Sequence, residues 1–205
     1  MQTKKRIILG SASPRRRELL EQIGISFEVR DSDKEEVYHS LIPEEIVKEL
    51  ALSKAENVAD DLREKQEQVK QISFDKKNNV LLDTIVIGAD TIVVSDGSIL
   101  GKPKDEADAV RMIRSLQGRS HKVYTGVAIL DYDDEGKRKS VVHAVETEVF
   151  VNPMSDEEIR EYAATGEPLD KAGAYGIQGR FAAYIERIDG DYYNVVGLPV
   201  SYVYR

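Results

Sequence analysis

The 205-residue sequence contains no cysteine, which excludes disulfides, a cysteine nucleophile and thiolate metal sites. It also lacks an apolar run long enough to cross a bilayer, because Asp83 and Asp90 interrupt the most hydrophobic stretch, residues 80–94. The apolar stretch near the N-terminus is too short for the core of a signal peptide. We therefore expect a cytoplasmic protein.

Net positive charge is lacking as well, since the formal net charge is -8 at pH 7. Proteins that bind nucleic acid or anionic membranes usually carry a basic surface, so we expect neither kind of partner. Any small anion must instead be bound by a local cluster of positive side chains.

Length and composition bound the domain organisation. With 41% hydrophobic content, 205 residues are enough to bury one sizeable core, so we expect a single domain over residues 1–205. Within it, residues 63–79 carry much charge and little periodicity, which predicts an exposed, variable connection.

Hydrophobic periodicity and turn residues predict alternating strands and helices, followed by long paired strands. The predicted strands cover 6–10, 26–30, 80–90, 120–130, 139–151 and 181–188, with a tight turn at 95–98, and the predicted helices cover 14–23, 40–62, 105–118 and 155–165. This order predicts a mixed α/β fold, an elongated, twisted sheet flanked by helices, with a ligand cleft between two lobes.

Three arginines, residues 15–17, follow the predicted N-cap Ser13 at the start of the first helix. The partial positive charge of a helix N-terminus normally attracts acidic side chains there, so the arginines need an explanation. On a helical wheel Arg16 points toward the core and its neighbour Arg15 lies at the edge. Arg17 points away, and we expect it to pair with Glu21.

The inward side of this helix start is a candidate anion site. Arg15 and Arg16 would lie beside free backbone N–H groups and the hydroxyls of Ser11 and Ser13, a set of donors that suits phosphate oxygens. The alternative, with about even weight, is that both arginines pair with carboxylates of the protein's own fold.

Asp90 is the second candidate, because it ends an apolar predicted strand, and ligands of open α/β sheets bind beyond the carboxyl ends of strands. A carboxylate at that place can hold a divalent cation, activate a water molecule, or both. The alternative is an Asp-Thr turn in which the side chain only satisfies backbone donors.

Three further polar residues are candidates for substrate contacts. Lys102 lies on a stiff Gly-Lys-Pro loop, where it can bind phosphate as a point charge or simply be solvated. Lys54 lies beside the apolar stripe of its helix, and its stem can also snorkel to water. Gln178 lies in the glycine-rich loop 170–179, where its amide can read a base edge unless the loop is an ordinary one.

Together, these segments resemble the Maf-like nucleotide pyrophosphatase family, also named for septum-formation inhibition. The resemblance covers nearly the whole chain in order, through LGSASPRRRELL, EEV, LALSKA, IGADTIV, LGKP, GRSHKVYTGVAI, EPLDKAGAYGIQG and IDGDYYNVVGLP. It implies an α/β fold with a cleft between lobes. It also implies hydrolysis of nucleoside triphosphates to the monophosphate and pyrophosphate, with Mg²⁺ or Mn²⁺ as the divalent metal.

The resemblance also implies roles for individual residues. Asp90 matches the family's catalytic base, and Glu36, or its neighbour Glu35 in another register, matches an acidic residue that helps Asp90 to hold the metal. The implied catalytic lysines are Lys54 and Lys102. The implied substrate-binding residues are Ser11, Ser13, Arg15, Arg16, Thr91 and Gln178.

The GADT motif and the DKAGAYGIQG loop are similar to the branch of the family that acts on dTTP and UTP, and Arg15, Thr91 and Gln178 match positions tied to that base preference. Alternatives are a nucleotide-binding regulator of cell division without significant turnover, and a nucleotidyltransferase. Many relatives continue beyond the segment that matches GLPVSYVYR into a further helix, so we expect a weaker packing surface or homodimer contact here.

Overall fold

A computed structural model describes residues 5–31, 34, 36–72 and 82–205 and has a mixed α/β fold. The strands are β1 (Arg6–Gly10), β2 (Glu28–Val29), β3 (Thr84–Ser95), β4 (Ser98–Leu100), β5 (Ser120–Tyr132), β6 (Arg138–Val151) and β7 (Ile185–Asp189). The α-helices are α1 (Pro14–Gln22), α2 (Pro43–Ile72), α3 (Glu106–Leu116), α4 (Asp156–Ala163), α5 (Tyr192–Val196) and α6 (Val200–Tyr204). Short 3-10 helices cover Glu167–Asp170, Ala172–Ala174 and Arg180–Tyr184.

The strands form one seven-stranded sheet in the order β2-β1-β3-β5-β6-β7, with β4 paired to β3. Only the pairs of β1 with β2 and with β3 are parallel, and the other pairs are antiparallel. The predicted mixed α/β class is therefore confirmed, and the sheet is mostly antiparallel. The division into two lobes stays a prediction.

A break in the sheet lies along one edge of β3. β1 pairs with β3 as far as Gly88, and β4 pairs with it only from Val93 onward. Residues 89–92 therefore have a neighbouring strand, β5, on one side only. The prediction that Asp90 ends this strand is wrong, because the apolar run continues and carries β3 on to the turn at residues 96–97.

Side chains of β3 alternate between the two faces of the sheet and contribute to three hydrophobic clusters. Ile92 packs with residues of α2, whereas Val93 packs with residues of α1, α3 and α4 on the opposite face of the sheet. Because successive side chains of a strand point to opposite faces, Asp90 faces α2 and Thr91 faces the other side.

Two glycines let α2 lie directly on the sheet. A Cβ atom on Gly88 would be 2.2 Å from the carbonyl oxygen of Ala51, and one on Gly126 would be 2.0 Å from the carbonyl oxygen of Val47. Gly126 lies opposite Asp90 in the register of β3 and β5. The close approach therefore brings the N-terminal half of α2 over the part of the sheet that carries Asp90.

Besides β3, three other predicted elements differ clearly from the structure. α2 continues through Ile72 instead of ending at residue 62, because the segment from Arg63 is rich in strong helix formers, and residues 73–79 of the predicted connection lie outside the described residues. The predicted strand 181–188 begins only at Ile185, because a 3-10 turn buries Phe181 completely among aromatic side chains. β2 has two residues instead of five.

Several local predictions are confirmed. Ser155 and Glu158 form a capping box at α4, and Asp105 caps α3 by accepting a hydrogen bond from the backbone of Asp108. Asp96 and Gly97 both have positive φ in the tight turn between β3 and β4. Among the helices in the described ranges, none combines the length and hydrophobicity needed to span a bilayer.

Candidate active site

A cleft of about 770 Å³ opens at the break beside β3. Its walls are the segments that follow β1 and β4, the N-terminal half of α2, the edge of β3 and the glycine-rich segment 170–179. It is lined by every residue of the predicted site: Ser11, Ser13, Arg15, Arg16, Glu36, Lys54, Asp90, Thr91, Lys102 and Gln178. The fold thus brings together residues that are up to 167 positions apart, from Ser11 to Gln178.

Arg16 is buried in the wall of this cleft and is only 9% exposed. Its Nε donates to the carbonyl oxygen of Gly197 at 2.8 Å, Nη1 donates to Ser11 Oγ at 3.0 Å and Nη2 donates to Thr91 Oγ1 at 3.1 Å. Burial lowers the pKa of Arg16, and the negative charge of Asp90 opposes that effect. The guanidinium nevertheless stays protonated.

No carboxylate of the described part of the chain forms an ion pair with Arg16, so its charge is buried without a direct counter-ion, and Asp90 acts on it only from a longer distance. For Arg16, the alternative that it pairs with a carboxylate of the protein's own fold is therefore wrong. A buried, unpaired charge is unfavourable, and the contacts named above leave further N–H groups for a ligand. The position is therefore suited to an anionic ligand.

The two neighbouring arginines have different partners. Arg15 Nη1 donates to Asp170 Oδ2 at 2.9 Å. For Arg15, the alternative that it pairs with a carboxylate of the protein's own fold is therefore confirmed. Arg17 does not pair with Glu21, because its Nη2 donates instead to the carbonyl oxygen of Ala12 at 2.7 Å. An exposed i,i+4 ion pair with arginine before glutamate stabilises a helix by only a few tenths of a kcal/mol, so its absence costs little.

The serine hydroxyls at the start of α1 are available to a ligand. Ser13 occupies the N-cap position, but its side chain makes no capping hydrogen bond. Ser11 Oγ accepts from Arg16 and, at 3.3 Å, from the backbone N–H of Ser13. Because both contacts use Ser11 as an acceptor, its own proton can be donated to an anion in the cleft.

Asp90 and Glu36 converge on one ammonium group. Lys54 Nζ lies 2.5 Å from Asp90 Oδ1 and 2.9 Å from Glu36 Oε1. The alternative that Asp90 only satisfies backbone donors in a turn is therefore wrong, because its carboxylate contacts α2. Glu36 is more than half exposed, and Glu35 lies outside the described residues.

Lys102 and Gln178 are exposed members of the site, as Glu36 is. Neither makes an ion pair or a side-chain hydrogen bond with any residue that the structure describes. The loop that carries Gln178 is shaped by Glu167, which accepts from Tyr162 Oη at 2.9 Å and from the backbone N–H of Arg180 at 3.0 Å. A Cβ on Gly179 would be 2.0 Å from the same carboxylate, so a larger residue there would displace Glu167 from these contacts.

The carboxylates of the cleft fit a divalent cation that binds together with phosphate groups. In the described part of the chain, three or more His, Asp or Glu side chains nowhere gather into a metal site. Asp90 and Glu36 nevertheless approach a common point from two sides, as their contacts with Lys54 indicate. Mg²⁺ is usually held by one or two carboxylates plus phosphate oxygens and water. The pair therefore suits a cation completed by phosphates, and not one held by protein alone.

Comparison with known proteins identifies the family. The family model of the Maf-like proteins matches residues 6–205. The chain belongs to the Maf-like family. Proteins named dTTP/UTP pyrophosphatase from Agathobacter rectalis and Dictyoglomus turgidum are each 47% identical over 199 residues, covering 97% and 96% of this chain and 94% and 92% of their own lengths. The protein of that name from Alkaliphilus metalliredigens is 47% identical over 197 residues, which are 96% of this chain and 91% of its own.

Sequence reasoning missed the buried polar groups behind this Maf-like cleft. Thr91 Oγ1 lies 2.9 Å from Thr125 Oγ1, which donates to the carbonyl oxygen of Asn194 at 2.9 Å. The Asn194 side chain in turn donates to Thr147 Oγ1 at 2.8 Å. No local pattern predicts these contacts, because they depend on the register of β3, β5 and β6 and on the docking of α5.

Proposed function

We propose that this member of the Maf-like family hydrolyses dTTP and UTP to the nucleoside monophosphate and pyrophosphate. The observation that carries the proposal is one cleft in which the buried, unpaired charge of Arg16 lies near the Lys54–Asp90 pair. The relatives that are 47% identical and carry the name dTTP/UTP pyrophosphatase support the choice of substrates.

The triphosphate would be bound by the positive groups of the cleft. Arg16 offers a charge with no carboxylate partner, Ser11 offers a hydroxyl proton, and Lys102 reaches in from the loop after β4. Arg15 is held in place by Asp170 and adds a second guanidinium. Such a set of cations stabilises the charge that develops on the transferring and leaving oxygens during phosphoryl transfer.

Asp90 would act on the attacking water. A water oxygen attacks the α-phosphorus, the bond from that phosphorus to the bridging oxygen breaks, and pyrophosphate leaves. Asp90 orients the water and accepts its proton, while the ammonium of Lys54 fixes the position of the carboxylate.

A divalent cation, Mg²⁺ or Mn²⁺, is part of the proposal. Asp90 and Glu36 are the residues that would hold it. When bound, the cation neutralises charge on the phosphate oxygens and on the leaving group. Lys54, which contacts both carboxylates, would keep them close together in the absence of the cation.

The test is a panel of nucleoside triphosphates assayed for pyrophosphate and for orthophosphate, with and without Mg²⁺ or Mn²⁺. We expect pyrophosphate from dTTP and UTP, and only with a divalent cation. Release of orthophosphate alone would indicate cleavage at another bond. No release from any nucleotide would favour the regulator that binds nucleotides without turnover.

Location and assembly complete the proposal. The absence of cysteine suits the reducing cytoplasm, and a net charge of -8 disfavours nucleic acid or anionic membranes as partners. A homodimer stays a prediction, which sedimentation or light scattering tests.

A further inference from the structure

His121 is a buried titratable residue that the proposed mechanism does not use. It lies on β5, is 3% exposed, and has its Nε2 atom 2.7 Å from the hydroxyl oxygen of Tyr175. Its Nδ1 atom is buried without a hydrogen-bond partner in the part of the chain that the structure describes. A buried polar atom without a partner is unfavourable, and an apolar side chain of similar size would stabilise this core more. The contact with Tyr175 is therefore the feature that needs a function.

Tyr175 links His121 to the glycine-rich segment that lines the cleft. The tyrosine is 5% exposed and lines the cleft together with its neighbour Gly176. Among the described residues, His121 is the only hydrogen-bond partner of the tyrosine hydroxyl. The two rings also meet edge to face, with their centroids 5.2 Å apart. Two directional contacts between the same side chains fix the position of Tyr175 relative to β5.

The residue before Tyr175 has a strained backbone. Ala174 is fully buried and has a φ of 60°, in the left-handed region that a Cβ atom disfavours. Gly173 before it has a φ of 70°, and a Cβ there would be 3.0 Å from the side chain of Val93 on β3. A strained conformation persists only where the surrounding contacts determine it. The contacts on both sides of Ala174 therefore matter more than they would in a relaxed loop.

On the other side of Ala174, the backbone is tied to the loop that carries Lys102. The backbone N–H of Gly173 donates to the carbonyl oxygen of Gly101 at 3.0 Å. Lys102 is the next residue after Gly101 and lines the cleft just beyond the end of β4. No ion pair or side-chain hydrogen bond with a described residue holds the Lys102 side chain. The position of its ammonium group therefore depends on the backbone of this loop.

We propose that His121 is a positioning residue for Lys102. Its contact with Tyr175 holds Ala174 in the left-handed conformation. That conformation keeps the N–H of Gly173 bonded to the loop that carries Lys102. His121 itself does not line the cleft, so it acts on a ligand only through these residues. The inference rests on the proposed function, in which Lys102 binds the triphosphate.

Amide hydrogen exchange followed by NMR tests the coupling without turnover. His121→Phe keeps a ring and removes the hydrogen bond, so the amide of Gly173 should exchange at least about tenfold faster than in wild type. The amide of Ile25, which donates to the carbonyl oxygen of Leu20 outside the cleft, is the control and should keep its rate. Equal acceleration of both amides would mean that the whole fold is loosened and would overturn the inference, as would an unchanged rate at Gly173.

A double-mutant cycle shows whether His121 acts through Lys102. His121→Phe should lower kcat/KM for dTTP by about tenfold, because a misplaced cation stabilises the transition state less. In a Lys102→Ala background, the same substitution should lower it by no more than about twofold. Ser11→Ala is the control background, because Ser11 lies in the same cleft on another segment, and there the full loss should persist. Equal losses in all three backgrounds would overturn the inference.

Glycine at position 174 separates positioning from stability. Glycine adopts a positive φ without strain, so adding Ala174→Gly to His121→Phe should return kcat/KM to within about twofold of the wild-type value. Ala172→Gly is the matched control, because Ala172 lies in the same turn without a positive φ, and it should restore nothing. Equal results from the two glycine variants, whether rescue or failure, would contradict the role of Ala174.

Removing both polar partners tests the alternative that the pair only stabilises the fold. His121→Phe combined with Tyr175→Phe leaves no polar atom of the pair unsatisfied, so urea unfolding should show at least wild-type stability. The kcat/KM for dTTP should nevertheless stay about tenfold lower, because packed apolar rings lack a directional bond. Wild-type kcat/KM in this stable double variant would reduce His121 to a packing role and contradict the inference.

Failure of the proposed function leaves this inference testable. If wild type releases no pyrophosphate from any nucleotide, the cycle is repeated with the affinity for inorganic pyrophosphate, measured by calorimetry. His121→Phe should weaken that binding by about tenfold, and by no more than about twofold in the Lys102→Ala background. The same affinity in wild type and in His121→Phe would overturn the positioning role.

Discussion

Lys54 Nζ donates to Asp90 Oδ1 at 2.5 Å and so joins the N-terminal half of α2 to the middle of β3. This contact depends on how closely the helix backbone approaches the sheet. Only a glycine at position 126, directly opposite Asp90, leaves room for the carbonyl group of Val47. The position of the Asp90 carboxylate therefore depends on Gly126 and Val47, neither of which lines the cleft.

Replacing Asp90 by asparagine should lower kcat for dTTP and UTP by about 100-fold or more, because the amide cannot accept the proton of the attacking water. Steady-state release of pyrophosphate measures the effect, and circular dichroism checks that the variant folds. Wild-type turnover in a folded Asp90→Asn protein would remove Asp90 from the mechanism.

Gly126→Ala should lower the free energy of unfolding by about 1–3 kcal/mol, because its Cβ would overlap the carbonyl oxygen of Val47 and push α2 off the sheet. The same displacement should separate Lys54 from Asp90 and reduce kcat. Denaturant unfolding and turnover are both measured. Gly101→Ala is the matched control for stability, because a Cβ there meets no atom within 4 Å. Equal stability of the two variants would contradict the close approach as the cause.

The inward direction of Arg16 follows from helical periodicity, and the structure places its side chain inside the fold. Its partners at Gly197 and Thr91 were not predictable, because they are 181 and 75 positions away and depend on how α1 packs against the C-terminal segment and β3. The position of Asp90 was misjudged for a related reason. Periodicity predicts an apolar strand. It does not show where the neighbouring strands begin and end along that strand, because this depends on the whole sheet.

The same limit explains why the break beside β3 has no signature in the sequence. Strand pairing is specified by contacts between distant segments, so a gap between two neighbours on one side of β3 becomes visible only with the register. Local features were predictable, as the capping box at Ser155 illustrates, since all of its atoms lie within a few residues.

Thr125→Val should reduce kcat/KM for dTTP by about tenfold, because Thr91 loses the acceptor of its proton and Arg16 loses a fixed partner. The carbonyl of Asn194 also loses a donor, which should cost about 1–3 kcal/mol of stability.

Two further variants show whether Thr125 acts through Thr91. Thr125→Ser keeps the hydroxyl and should restore kcat/KM close to the wild-type value. Thr91→Val combined with Thr125→Val should have the same kcat/KM as Thr91→Val alone. Additive losses in the double variant would mean that Thr125 affects activity by another route.

His121 should make the protein less stable at acid pH. Its imidazole is 3% exposed, Nε2 lies 2.7 Å from Tyr175 Oη, and burial lowers the pKa of His121 from 6.5 to about 4. Between those values the unfolded chain binds a proton that the folded protein excludes, so stability is fully present above pH 6.5 and is lost as the pH falls toward 4.

The loss attributable to His121 should reach about 3 kcal/mol near pH 4. Carboxylates elsewhere also titrate in this range, so wild type is compared with His121→Gln, in which an amide nitrogen can take the place of Nε2 and carries no charge at any pH. Urea unfolding at a series of pH values measures both proteins. The free energy of unfolding of wild type should fall more steeply than that of the variant below pH 6.5. Parallel pH profiles would mean that His121 is protonated as easily in the folded protein as in the unfolded chain.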